Sequence, residues 1–344
     1  MTPYKLVGAY ASPYSRKMRA VLRYRRLPFR WISRGGRDDV DIPAVPVALI
    51  PVLVTPAPGS DAAGATSMID STFQIRHLET RHAERSVVPS DPALAFLDAL
   101  VEDFADEWLT KAMFHYRWAC VPDAAKASHV IPCDQMLDLA PDQLARGAAA
   151  FAERQIGRLA VVGSNPTTAP LIEAGYRRLL GILDAAIQRR PFCFGRRPSA
   201  GDFGLFGQLS QLAAFDPTSA ALAAEHAPRV VAWVNVMDDL GGLEVGPDDW
   251  SPRGRVAEDL APLLEEIGRG FAPFLLANAE ALATGAREVT CEIDGTQWAQ
   301  SPFPYQAKCL RWLREHFARL APADQSFVEA TLADTGCAPL LRPS

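Results

Sequence analysis

The chain has no C-x-x-C pair and no grouping of cysteine and histidine at zinc-site spacing. Its six cysteines, at positions 120, 133, 193, 291, 309 and 337, are scattered, which predicts free thiols in a reducing compartment rather than a disulfide framework. The histidines do not join them; His77 and His82 stand five apart and would not share a helix face. No metal is therefore expected. A basic excess is also missing, since 35 Lys and Arg against 40 Asp and Glu leave a net charge of -5, which argues against a dedicated nucleic-acid binder. The longest apolar run, Ile42 to Pro58, carries five prolines, so no segment reads as a membrane-spanning helix. The stretch before Arg16 is too short and too polar for a signal peptide. These absences together predict a cytoplasmic protein with no membrane partner.

What is present is ordinary globular material, 49% hydrophobic and 22% charged, and 344 residues predict two or three domains. Charge is uneven along the chain: residues 1 to 37 hold ten Lys and Arg and no acid. Arg16, Arg19, Arg23 and Arg26 recur at helical spacing, which fits either a solvated helix face or a positive field for a small anionic ligand.

The rest of the chain is organised around Lys5 to Arg26. Lys5 to Tyr10 reads as a strand, and Met18, Val21 and Leu22 mark the buried stripe of a helix that follows directly. Between them, Ser12-Pro13-Tyr14-Ser15 sets a capping residue and a first-turn proline beside the free N–H groups of a helix start. Such a turn suits a thiolate. Lowering a thiol pKa from about 8.5 by two units takes roughly 2.7 kcal/mol. A helix N-terminus contributes about 0.3–1 kcal/mol, and a hydroxyl hydrogen bond to a charged group adds about 1.5–3 kcal/mol. The turn has no cysteine, so the sulfur would belong to a ligand; the alternative is that Ser12 only caps the helix.

Pro28 to Ile32 and Pro51 to Val54 read as further strands, and Ser67 to Ile69 as a fourth after a turn at Gly59 and Gly64. Asp70-Ser71-Thr72 then opens a helix carrying Phe73, Ile75 and Leu78. This order, with Ser12-Pro13-Tyr14-Ser15 after the first strand, Ile50-Pro51-Val52-Leu53 at the third and Asp70-Ser71 at the helix start, resembles the thioredoxin-like domain of serine-type glutathione S-transferases.

The resemblance implies an α/β thioredoxin-like, glutathione-binding domain over residues 1–86, with glutathione as co-substrate. It implies that Ser12 is catalytic and donates to the glutathione thiolate, with Tyr14 and Ser15 beside it. Pro51 would be cis, exposing the Ile50 backbone to the tripeptide like one more strand. Asp70 and Ser71 would hold the γ-glutamyl end, the acid taking the ammonium and the helix start a carboxylate. The chain departs from the family where many members place a cation or Gln before the cis-proline: Ile42 to Ile50 is wholly apolar, leaving Arg34 or Arg37 for the glycine carboxylate.

An all-helical bundle is expected over 92–245. Its first long helix, Ala93 to Ala119, carries an aromatic stripe, and by the resemblance it borders the electrophile pocket. Trp108, Lys111, His115 and Tyr116 are candidate pocket residues there, though such a stripe is commonly core. Pro122 to Pro141 reads as irregular, and Ser199 with Asp202 as a capping motif. Glycines 201, 204 and 207 read as helix packing, because no strand precedes them. Residues 246–344 form an extension beyond the family pattern, with a long helix from Val256, a hairpin at Asp294-Gly295 and an amphipathic helix after Pro304. It should dock on the helical domain or wrap a partner subunit.

The function implied is a homodimeric transferase that attacks a small hydrophobic electrophile with the glutathione thiolate. A glutathione-dependent lyase or dehalogenase would use the same thiolate, and a non-catalytic glutathione-binding protein would share the fold. A glutaredoxin-like reductase is disfavoured, because Ser12 and Ser15 stand where that chemistry needs cysteine.

Overall fold

A computed structural model describes residues 2–39, 42–56 and 64–342. The expected turn at Gly59 lies outside the described residues. Strand β1 (Tyr4–Gly8) leads through the Ser12 turn into α1 (Pro13–Tyr24), followed by β2 (Phe29–Ser33), β3 (Val52–Thr55), β4 (Thr66–Met68) and α2 (Ser71–Arg81). The sheet order is β2-β1-β3-β4, with β1 and β2 parallel and the other two pairs antiparallel. This is a thioredoxin-like arrangement.

Alternation along β1 explains how the sheet is covered. Tyr4 and Leu6 face the helices, whereas Val7 joins Ile32, Val52 and Val54 on the other face, where Ile42 and Val45 pack. Part of the apolar segment before Pro51 therefore serves as a lid on the sheet.

The helical part begins with α3 (Pro92–Phe104), capped by Asp91, whose Oδ1 accepts from the N–H groups of Ala93 and Leu94. The single helix expected from Ala93 to Ala119 is interrupted. A π turn, Ala105–Leu109, separates α3 from α4 (Thr110–Ala119) and inserts a wider turn that re-aims every later side chain. The segment from Pro122, expected to be irregular, is instead α5 (Val121–Gln135). Pro122 falls in its first turn, where a missing N–H is harmless, and Asp123, Ala127 and Ile131 bury one face at four-residue spacing. Then come α6 (Pro141–Ile156), α7 (Ala169–Ile187), α8 (Ala200–Leu212), α9 (Pro217–His226) and α10 (Pro228–Asp238).

Ser199 and Asp202 form a reciprocal capping box on α8, each accepting the other's backbone N–H. The glycines of α8 let it press on two helices. A methyl group at Gly201 would come within 2.8 Å of Val101, and one at Gly207 within 2.7 Å of the Pro13 carbonyl.

Residues beyond 246 continue the same body. Helix α11 (Arg253–Glu266) passes through a second π turn, Ile267–Phe271, into α12 (Ala272–Thr284), and the hairpin β5 (Val289–Ile293) and β6 (Thr296–Gln300) follows. Asp294 and Gly295 both take positive φ, 49° and 71°, as a two-residue hairpin turn requires. The chain ends with α13 (Pro304–Ala318) and α14 (Pro322–Leu332). The hairpin is not left alone in water: Trp298 is fully buried, its ring 5.2 Å from Trp108 and 6.1 Å from Phe274. The extension thus docks on the helical part. Among the described residues no helix is long and apolar enough to cross a membrane.

One buried charge joins the two parts. Lys17, on the covered face of α1, has no solvent exposure, and its Nζ lies 2.6 Å from both Glu102 Oε1 and Asp106 Oδ2. The two carboxylates outweigh desolvation and hold the ammonium charged, above its ordinary pKa. Lys17→Met strands two carboxylates without a counter-charge, and we expect a loss of about 3–5 kcal/mol in urea unfolding, whereas a loss under about 1 kcal/mol would contradict the arrangement.

Candidate functional site

A cavity of about 370 Å³ opens where α1, the cis-proline turn, the start of α2, the π turn and the extension meet. Its size is that of a small-molecule site. Tyr14, Ile50, Pro51, Asp70 and Ser71 line it from the N-terminal side, and Asp106, Glu107, Thr110 and Lys111 from the helical side. The remaining wall is Val161 and Val162 with Gln300, Phe303, Tyr305 and Gln306 of the extension. Leu49, Val161 and Phe303 are exposed, giving the site an apolar rim.

The Ile50–Pro51 bond is cis. Among the described residues the N–H and C=O of Ile50 have no hydrogen-bond partner, while the Pro51 carbonyl accepts from Gln74 Nε2 at 2.8 Å. Unpaired backbone groups beside a cavity are ready to bind an extended chain. Asp70, at φ 76°, caps α2: its Oδ1 accepts from Thr72 N at 3.1 Å and Phe73 N at 3.4 Å. Ser71, the first helical residue, presents the start of α2 to the cavity.

Three hydroxyls occupy the turn into α1. Tyr14 donates its proton to the Asp106 carbonyl at 2.8 Å. Ser15 is fully buried, accepting from Ala9 N at 3.3 Å. Ser12 is half-buried and accepts from Ser15 N at 3.3 Å; its own proton is committed to no group among the described residues. Neither serine is among the residues forming the cavity wall.

Of the candidate residues expected on the long helix, Trp108, Lys111, His115 and Tyr116, only Lys111 lines the cavity. Trp108 packs between Phe274 and Trp298, at 5.4 and 5.2 Å. His115 is buried with Nδ1 2.8 Å from Ser164 Oγ, and Tyr116 lies in the core with its ring 5.3 Å from Tyr176. These three are placed by the core, not by the cavity. Lys111 Nζ donates to Gln300 Oε1 at 2.7 Å and sits 4.2 Å over the Phe274 ring. Burial pulls its pKa down to about 7 against the opposing pull of Glu107.

The basic N-terminal stretch does not focus charge on the cavity. Arg16 and Arg23 pair with Asp238, Arg26 with Glu244, and Arg19 stacks over Tyr10 at 4.8 Å. Arg34 pairs with Asp39 and Arg37 with Asp138, and neither lines the cavity. The described residues hold no His, Cys, Asp and Glu grouping suited to a metal ion.

Residues 6–86 match the family model described as the glutathione S-transferase N-terminal domain. Over these residues the chain is similar to that domain. Among solved structures, the chain is similar to a Tau class glutathione S-transferase from mango, Mangifera indica, at 16% identity over 75% of this chain and 96% of that one, with a TM-score of 0.41. A glutathione S-transferase from Methylobacterium radiotolerans, solved with glutathione sulfonate, shares 24% identity over 67% and 93%, TM-score 0.35. A glutathione transferase from Burkholderia graminis, with two glutathione molecules bound per subunit, shares 16% identity over 68% and 82%, TM-score 0.40. No curated protein matches the chain.

The matched residues 6–86 thus supply only one side of the cavity. Sequence reasoning missed Asp106, Glu107 and the extension residues. Asp106 carried a readable signal, standing four residues after Glu102 on one helix face. Burial and the neighbouring Asp106 push the Glu107 carboxyl up to about 7 from 4.5. A raised carboxyl stabilises the fold below pH 4.5, and that contribution is lost as pH rises through about 7. We expect Glu107→Gln to gain stability relative to wild type between pH 5 and pH 7.5 in urea unfolding. A difference that stays constant with pH would contradict the shift.

Proposed function

We propose that the protein binds glutathione in this cavity and ionises its thiol for attack on a hydrophobic electrophile. The observation that carries the reading is that the cis Ile50–Pro51 turn with its unpartnered backbone, the start of α2 at Asp70 and Ser71, and the turn into α1 all meet at one cavity. Each supplies what one part of the tripeptide needs: backbone pairing for the cysteinyl unit, an acid and free N–H groups for the γ-glutamyl end, and a helix start for the sulfur.

Ser12 is the thiolate donor in this reading. Tyr14 has spent its proton and Ser15 is buried, so Ser12 is the uncommitted hydroxyl of the turn. The exposed apolar rim of Leu49, Val161 and Phe303 favours an apolar second substrate. A lyase or dehalogenase reaction would use the same thiolate on a leaving group.

One observation favours a second reading, glutathione binding without turnover: Ser12 is not part of the cavity wall. Ultraviolet difference absorption separates the two. In the catalytic reading glutathione gives a thiolate band at neutral pH, and Ser12→Ala abolishes it and lowers turnover of an aryl halide by roughly ten- to a hundredfold, the worth of one hydroxyl bond to a charged group. Calorimetric binding of glutathione by wild type with no thiolate band would leave the second reading.

A further inference from the structure

The extension places Tyr305 against Asp70 and its neighbour Gln306 in the wall of the same cavity. The Tyr305 hydroxyl donates to Asp70 Oδ2 at 2.5 Å across 235 positions of sequence. Asp70 Oδ1 is already held by the backbone of α2. Burial and the Asp70 charge raise the phenol far above its usual pKa, so it stays neutral and keeps the proton it donates to the acid. Two acceptors remain there, the second lone pair of Oδ2 and the phenol oxygen.

Next in the chain, Gln306 is 4% exposed and lines the same cavity. Its Nε2 donates to the Glu107 carbonyl at 3.2 Å, and because only the amide nitrogen can donate to a carbonyl, that contact fixes Oε1 as the free end. Oε1 has no partner among the described residues. A buried acceptor left without a donor is costly, and a ligand donor would satisfy it.

We infer that Asp70, Tyr305 and Gln306 form an acceptor-lined subsite for the primary ammonium of the thiol ligand, two of its three members coming from the C-terminal extension. The assignment rests on the proposal that glutathione is that ligand. An ammonium carries three donors and no acceptor, which matches a wall of acceptors beside a carboxylate.

Tyr305 is a fixed wall and not a swinging latch. The residue before its helix, Phe303, is held on both sides by Asn278, Oδ1 accepting at 2.8 Å and Nδ2 donating at 3.0 Å. The Tyr305 ring packs edge-on against Trp312 at 5.9 Å, and Trp312 against Phe73 of α2 at 5.0 Å. Moving the phenol aside would break its contacts with Asp70 and Trp312.

The test compares glutathione with glutaryl-cysteinyl-glycine, which is the same tripeptide without the amine, by calorimetric titration of the full-length protein. Wild type should bind glutathione roughly tenfold or more tightly than the deaminated analogue, the worth of hydrogen bonds to a charged group. Tyr305→Phe and Gln306→Met should each shrink that ratio at least threefold while leaving the affinity for the analogue unchanged. Unchanged ratios in both variants, or tighter glutathione binding by Tyr305→Phe, overturn the subsite and leave glutathione binding standing. Wild type that binds neither tripeptide overturns the glutathione reading and the subsite with it. Thermal midpoints within a few degrees of wild type show that each variant is folded.

Discussion

A single buried ammonium sets the geometry on which the site depends. Lys17 bridges Glu102 and Asp106, and those two residues reach further: Glu102 Oε1 accepts from Thr72 Oγ1 at 3.0 Å, and the backbone carbonyl of Asp106 accepts from Tyr14. The turn into α1, the first turn of α2 and the π turn are therefore tied to one charge. Those are three of the elements around the cavity. An unpaired buried charge is too costly to tolerate, so the network holds as a unit or fails as a unit. Asp106 shows the tension, with burial pushing its carboxyl up to about 6 in spite of Lys17.

The extension then finishes what the N-terminal domain begins. Its hairpin inserts Trp298 beside Trp108, and Gln300 meets Lys111. Fold alone would not reveal this, because the N-terminal domain and the added segment each supply part of one cavity wall.

Much of the frame was legible in the chain. Local rules govern the Ser12 cap with Pro13 behind it, the Asp70 cap, the Ser199 capping box and the Asp294-Gly295 hairpin, and each involves residues within four positions of one another. The π turns were not legible, since no local signal distinguishes Ala105–Leu109 from the helix around it. Within it Trp108, and beyond it His115 and Tyr116, pack in the core while Lys111 lines the cavity. Helix α5 was not legible, because Pro122 to Pro141 read as irregular although Pro122 falls where proline is tolerated. Lys17 did leave a trace, a charged residue between Pro13 and Val21 on the apolar stripe of α1, matched by acids four apart on the next long helix. Contacts such as Tyr305 with Asp70 span 235 positions and depend on tertiary packing, so no pattern in the sequence announces them.

The central claim is that one cavity, framed by the Lys17 network and closed by the extension, binds glutathione. The most direct measurement is a crystal structure of the full-length protein grown with glutathione. The account predicts the tripeptide paired with the Ile50 backbone, its ammonium among Asp70, Tyr305 and Gln306, and its sulfur within hydrogen-bond distance of Ser12 Oγ. Glutathione bound elsewhere, or bound in the cavity with its sulfur out of reach of Ser12, would contradict it.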